Sequence, residues 1–192
     1  MTENSTKSGR LIAVVGESCV GNDSFMQGLH DVMPSLHLVR QVVTRAPELA
    51  DEAYDAVSVQ EFQDMAEHGA FALHWHAHGL LYGIPVTIKY HLNRGTDCLA
   101  NFSWTALAEA STLFARLVIL NISANSDTLA ARHAARGHED AEEIAKRQGE
   151  AEKPLPRGLD VTTLSNEGPL SQTIARAVIL LQQDQVTVGN TT

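Results

Sequence analysis

Residues 16–24 read Gly16-Glu17-Ser18-Cys19-Val20-Gly21-Asn22-Asp23-Ser24, directly after the apolar run Leu11-Ile12-Ala13-Val14-Val15. Two glycines five positions apart, between an apolar run and a helical pattern, form the spacing with which backbone N–H groups and a helix N-terminus hold phosphates. The complete motif continues with lysine, which reaches the β- and γ-phosphates, and with a serine or threonine whose hydroxyl ligates Mg²⁺. Here Asn22 stands at the lysine position and Asp23 at the hydroxyl position, with Ser24 one place later. Asp23 and Ser24 offer a carboxylate and a hydroxyl, hard oxygen ligands suited to Mg²⁺. An aspartate in a first helical turn equally serves the helix dipole with no metal, so both readings stand. Asn22 donates a hydrogen bond and carries no charge. Cys19 would crowd the loop wherever its position requires positive φ.

Other residues invite the same question. Arg45 ends a β-branched run and carries a fork-shaped cation of the kind that pairs with phosphate. Arg132 and Arg136 lie four apart on one helix face, the spacing that two phosphate contacts need, although a solvated helix face carries such pairs too. Lys146 and Arg147 follow in a charged stretch. His74, His76 and His78 alternate along a strand pattern, so three imidazoles share one face and could converge on a metal. The same alternation with Trp75 and Ala77 describes a half-buried strand with one polar face.

The chain has 192 residues and a formal charge of −9, with a pI near 5.4. That length suits one domain with a sizeable core and room for a small insert. The acidic balance argues against nucleic-acid backbones as partners. Two cysteines, Cys19 and Cys98, make neither a disulfide framework nor a paired metal motif, and point to a reducing cytoplasm. No apolar run approaches the roughly 20 residues that span a membrane. The polar residues 1–9 read as a disordered arm without a signal-peptide core, and the tail from 185 reads as frayed.

Apolar patterning predicts strands over 10–15, 36–44, 71–78, 80–84, 97–102, 117–122 and 159–164. Helical patterns fall at 22–32, ended by Pro34, and at 59–67, stopped by Gly69. Further ones fall at 85–93, opened by Pro85, and at 105–114, 127–135 and 169–182. Strands alternating with helices indicate an α/β fold with a parallel sheet. The stretch 47–55 is acidic and turn-like, and 137–158 reads as a charged flap.

Several signals then recur in one order: the glycine loop, Val43-Thr44-Arg45, Val57-Ser58 with Glu61-Phe62, Gly69-Ala70-Phe71, Tyr82-Gly83, and Arg132 with Arg136-Gly137. This series resembles the guanylate kinase-like branch of the P-loop nucleoside monophosphate kinases. More narrowly it is similar to the ribose 1,5-bisphosphate phosphokinase family, over residues 9–181. The narrower match rests on Gly21-Asn22-Asp23-Ser24, Phe71-Ala72-Leu73-His74-Trp75, and His78-Gly79-Leu80 leading to Tyr82-Gly83-Ile84-Pro85. Asn101-Phe102-Ser103 and Ser165-Asn166-Glu167-Gly168-Pro169-Leu170 support it.

The resemblance implies a three-layer α/β P-loop kinase fold over 10–184, with an acceptor-binding insert near 45–84 and a lid near 137–158. It implies ATP and Mg²⁺, and transfer to ribose 1,5-bisphosphate giving 5-phosphoribosyl 1-diphosphate, a step of phosphonate catabolism. It places Arg132, Arg136 and Arg147 in catalysis and residues 16–24 with Asn166 around ATP. Thr44, Arg45, Glu52, Tyr54, His74, Tyr82, Asn101 and Ser103 fall around the acceptor. It leaves room for a homodimer. The departures are Asn22 where the family has lysine and Cys19 where it has glycine. Arg45 is followed by Ala46-Pro47-Glu48 rather than a second arginine, and Ala72, Leu73 and His74 replace the acid that reads guanine. A silent nucleotide- or sugar-phosphate-binding protein of the same shape is the rival reading.

Overall fold

The computed structural model describes residues 8–45, 54–136 and 158–187. Its first strand, β1 (Leu11–Gly16), is buried on both faces as far as Val15, as a central parallel strand must be. Helix α1 (Asn22–Val32) follows the glycine loop and buries Phe25, Met26 and Leu29. Then come β2 (His37–Leu38), β3 (Gln41–Val43), β4 (Tyr54–Ala56), α2 (Val59–Glu67), β5 (Phe71–Ala77), β6 (Leu80–Pro85) and α3 (Ile88–Asn93). The chain continues with β7 (Cys98–Asn101), a 3-10 turn (Trp104–Ala106), α4 (Leu107–Leu113), β8 (Leu117–Ser123), α5 (Ser126–Arg136), β9 (Val161–Ser165) and α6 (Leu170–Thr187).

Five strands form a parallel sheet in the order β2-β7-β1-β8-β9. Alternate residues of β1 feed two separate cores. Leu11, Ala13 and Val15 join Ile84, Ile88, Phe102, Leu107 and Phe114 on one face. Ile12 and Val14 join Phe25, Leu29, Leu164, Ile174 and Leu181 on the other. Period-two alternation thus glues helices to both faces and makes three layers. Arg10 anchors the start of β1: its backbone N–H and guanidinium both donate to Asp97, and Nη1 donates to the Leu181 carbonyl at 2.9 Å. A charge buried this deeply is tolerated because it is paired and hydrogen-bonded.

A second, mixed sheet runs β4-β3-β6-β5. The single strand expected over 36–44 is two. His37 and Leu38 pair with β7 in the parallel sheet, whereas Gln41–Val43 pairs with β4 and β6 in the second. The crossing falls at exposed Arg40, which bridges to Asp55 at 2.7 Å. Alternation continues through the crossing, so the pattern cannot say which sheet accepts each half.

Pro85 does not open a helix. It ends β6 opposite Phe71, and α3 begins three residues later. Tyr54 and Asp55, read as part of a turn, begin β4. Helix α2 follows its sequence signature closely: Ser58 and Glu61 form a capping box. Gly9, counted with the arm, is buried and donates to Leu92 O at 2.8 Å. Helix α6 runs past 184 to Thr187. The lid expected at 137–158 lies, but for Gly158, outside the described residues. No helix among the described residues is long and apolar enough to cross a membrane.

Candidate active site

The carboxyl ends of β1, β7 and β3 open into a cleft of about 400 Å³, the usual place for ligands in parallel α/β sheets. One wall is the glycine loop. Gly16 closes β1 where a Cβ would meet the Ile122 carbonyl at 2.7 Å and Asn22 Oδ1 at 2.8 Å. Gly21 adopts φ 98° as the N-cap of α1, a conformation that glycine takes at no steric cost. Between them Cys19 is left-handed at φ 62°, so a branched-off side chain sits where the loop favours glycine.

Of residues 16–24 all but Val20 line the cleft. Val20 is buried and turns the loop, its N–H donating to Glu17 O at 3.2 Å. Asp23 and Ser24 stand exposed in the first turn of α1. Their carboxylate and hydroxyl suit a hard cation that keeps its remaining ligands from water and phosphate, as Mg²⁺ does. Asn22 folds back rather than reaching outward. Its Nδ2 donates to Asn101 Oδ1 at 3.4 Å, and its Oδ1 is buried without a partner among the described residues.

The opposite wall belongs to the second sheet. Arg45 leaves β3 with its guanidinium over the Tyr54 ring, 5.4 Å from the centroid. Burial works against its charge, but a hydrogen bond with Tyr54 and the nearness of Tyr54, Tyr82 and Asp23 outweigh it, so the pKa is held above its ordinary value. A permanent cation therefore shares the cleft with the loop. Trp75 stacks between Tyr82 at 5.6 Å and Phe102 at 5.2 Å, and its indole N–H donates to Ser103 Oγ at 2.9 Å. Two aromatic rings of the second sheet are thereby clamped to the end of β7. Gln41, also buried, donates from Nε2 to the Asn101 carbonyl.

The cleft thus gathers most of the residues expected there: the loop, Arg45, Tyr54, Tyr82, Asn101 and Ser103. Besides Val20, four expected residues among those described do not line it. Thr44 braces the second sheet, its N–H donating to Leu81 O and its Oγ1 accepting from Leu81 N–H. His74 is exposed and stands edge-on to Phe62 and near Phe71. Arg132 donates to the carbonyls of Val20 at 2.9 Å and Asn166 at 2.8 Å. Asn166 is buried, with Nδ2 donating to Val20 O at 2.8 Å. Glu52, Lys146 and Arg147 lie outside the described residues, as does the side chain of Arg136, which closes α5.

Gln41, Trp75, His76, His78, Phe102, Trp104 and Thr105 line the cleft without having been singled out for it as a group. His76 and His78 drew notice as candidate metal ligands or, with His74, as a polar face that could line a sugar-phosphate cleft. Among the described residues no group of three or more His, Cys, Asp or Glu side chains is placed to hold a metal. His78 turns the β5–β6 connection at φ 52°. Nothing local marks Gln41, and Phe102 enters only through the Asn101-Phe102-Ser103 resemblance. Trp104 adds a buried indole N–H with no partner among the described residues.

No protein-family model matches the chain. It is 43% identical over 184 residues to a protein of a Ruegeria species described as ribose 1,5-bisphosphate phosphokinase PhnN, covering 95% of this chain and 97% of that one. An Agrobacterium fabrum protein of the same description is 38% identical over 176 residues, covering 90% and 96%. Among solved structures, guanylate kinase from Anaplasma phagocytophilum superposes with TM-score 0.71 at 18% identity, covering 94% of this chain and 88% of that one. A sugar kinase from a Janibacter species gives 0.59 at 14% identity, covering 91% and 95%. The two structural likenesses establish the three-layer kinase fold.

Proposed function

The chain belongs to the ribose 1,5-bisphosphate phosphokinase family, and from that premise we propose that it transfers the γ-phosphoryl of ATP to the 1-phosphate of ribose 1,5-bisphosphate. The products are ADP and 5-phosphoribosyl 1-diphosphate, and the step belongs to phosphonate catabolism. The observation that carries the reading is the opposition, across one cleft, of a phosphate loop and the fixed cation Arg45. A donor polyphosphate lies along the loop amides and the α1 N-terminus. The acceptor phosphate meets Arg45, with Tyr54, Tyr82, Asn101 and Ser103 beside it.

The attacking oxygen already belongs to an anionic phosphate, so no strong base is needed to create it. Positioning and charge neutralisation do the catalysis instead. Asp23 and Ser24 would hold Mg²⁺, which when bound neutralises charge on the phosphate oxygens. Asn22 reads as the replacement of the loop lysine, and its folded-back amide adds no positive charge at the γ-phosphate. Among the described residues, the cleft wall that flanks Arg45 supplies no acid for reading guanine.

The test is ADP release by the purified chain with ATP and Mg²⁺, offered ribose 1,5-bisphosphate, GMP or AMP side by side, with each product identified. Ribose 1,5-bisphosphate is expected to turn over at least about tenfold faster than GMP, the margin that one charged contact supplies. Faster turnover of GMP would refute this acceptor. No turnover with any of the three, while ATP still binds, would favour the silent binding protein.

A further inference from the structure

Arg132 and Asn166 converge on a single backbone atom, the carbonyl oxygen of Val20. Val20 is the one loop residue between 16 and 24 that does not line the cleft. Asn166 is in turn held on every side. Its N–H donates to Ser123 O at 2.7 Å, its carbonyl accepts from Arg132, and its Oδ1 accepts from Thr173 Oγ1 at 3.2 Å. The single Thr173 hydroxyl proton is shared between that oxygen and the nearer Ser165 O at 2.9 Å. Asn166 and Thr173 are 4% and 2% exposed, so water does not compete for these bonds. Three elements, α5, the end of β9 and the first turn of α6, are committed to one peptide.

That peptide is Val20–Gly21. Its two ends are electronically joined, because the amide C–N bond has partial double-bond character. Two donors on the oxygen, one of them cationic, draw density from the nitrogen, and hydrogen-bonded groups in sequence polarise one another. The N–H at the far end belongs to Gly21, which lines the cleft and caps α1. A Cβ at Gly21 would stand 3.2 Å from Asn166 Nδ2, a tight contact at a φ of 98° that side chains rarely adopt.

We propose that Arg132, Asn166 and Thr173 are positioning residues that polarise the Val20–Gly21 peptide and strengthen the Gly21 N–H as a phosphate donor. The inference rests on the nucleotide-binding reading of the loop and is independent of which acceptor is used. It gives Arg132 a part in charge stabilisation that needs no contact with the nucleotide. It also explains how a loop with Asn22 in the lysine position retains a cation in its service: the charge acts through a peptide from the side of Val20. Thr173 enters because its hydroxyl orients the Asn166 amide oxygen, leaving Nδ2 aimed at Val20.

The experiment follows the Gly21 amide proton by NMR in the full chain saturated with ADP and Mg²⁺, with the Gly16 amide as internal reference, alongside phosphotransfer rates. Arg132→Met is expected to move the Gly21 resonance upfield while Gly16 stays in place, and to lower kcat about thirtyfold with a smaller change in the KM for ATP. Arg132→Lys keeps the charge but loses the fork, and falls between. Thr173→Val is expected to shift Gly21 in the same direction and lower kcat about fivefold, with Thr173→Ser restoring both. That pair decides the matter even where Arg132→Met folds poorly. An unmoved Gly21 resonance in Arg132→Met and Thr173→Val overturns the proposal, and so does a loss confined to the KM for ATP, the mark of a direct nucleotide contact. Should no acceptor be phosphorylated at all, the amide shift still decides on this inference while the acceptor reading fails by itself.

Discussion

The two walls of the cleft are held in shape by opposite means. The phosphate loop is backbone: its curvature comes from Gly16, from Gly21 at φ 98°, and from Cys19 forced to φ 62°, and buried polar bonds to Val20 O fix it. The acceptor wall is side chain. Tyr82, Trp75 and Phe102 stack in sequence, and Arg45 rests on Tyr54. Phosphates are alike in every nucleotide, so a wall of amides serves any of them. Acceptors differ, and only side chains can tell them apart. On the proposed reading, chemistry common to kinases sits on the loop and selectivity on the second sheet.

The largest effect that can break this contrast is at the loop. Gly16→Ala drives a methyl into a backbone carbonyl that cannot move aside. ATP affinity is expected to fall at least about a hundredfold by calorimetry, with overpacking lowering stability by about 1–3 kcal/mol. Normal ATP binding in that variant would mean that the loop is not the nucleotide wall.

Arg45→Met comes next and should do the reverse. Its acceptor kcat/KM is expected to drop by about 30- to 100-fold, equivalent to about 2–3 kcal/mol for a charged contact, while ATP binding in the absence of acceptor changes less than about twofold. Equal losses on both sides would erase the division of labour.

Asn22→Lys sharpens the contrast from the other direction. A restored cation aimed at the transferred group should raise turnover about tenfold and change ATP affinity less. Where the left-handed Cys19 tilts the new lysine away, Cys19→Gly in the same chain should recover the gain. That second change also relieves about 1 kcal/mol of backbone strain. No gain from either variant, with ATP still bound, would mean that charge at position 22 does not limit the reaction.

The smallest expected effect lies away from both walls. His37 stacks on His91 with centroids 3.7 Å apart and planes 13° apart. Burial, together with His91 and His30, holds the His37 pKa below its ordinary 6.5. A histidine depressed in the fold contributes its full stability above the unfolded pKa, and that contribution declines as pH falls from about 6.5 toward the folded value. Because the pair is half in solvent, the melting temperature should drop by no more than about 2 °C from this source between pH 7 and pH 5.5. In His91→Phe the drop should shrink, since a ring remains without a second charge. A drop unchanged in that variant would assign the pH dependence elsewhere.

The glycine loop, the alternation of strands and helices, the capping box at Ser58 and the order of motifs ending in Asn166 were all legible in the chain. Each is a local fact: a φ that only glycine takes freely, a side chain reaching three residues on, an apolar stripe of period two or 3.6. So was the lack of a cation at position 22, visible in one letter.

The tertiary structure decided the rest. Residues 36–44 carry one continuous strand pattern, yet Arg40 divides it between two sheets; pairing partners lie tens of residues away and leave no local trace. Arg132 has the spacing of a phosphate contact, but its guanidinium has gone to the Val20 and Asn166 carbonyls. Gln41, Trp75 and Phe102 line the cleft only because β3, β5 and the end of β7 converge there. By itself the sequence determined that strands alternate with helices and that a glycine loop joins the first strand to the first helix, because backbone conformation follows from neighbours in the chain. Which side chains face the cleft, and which stand behind it, was settled by packing, because a side chain's direction depends on what the opposing elements leave open.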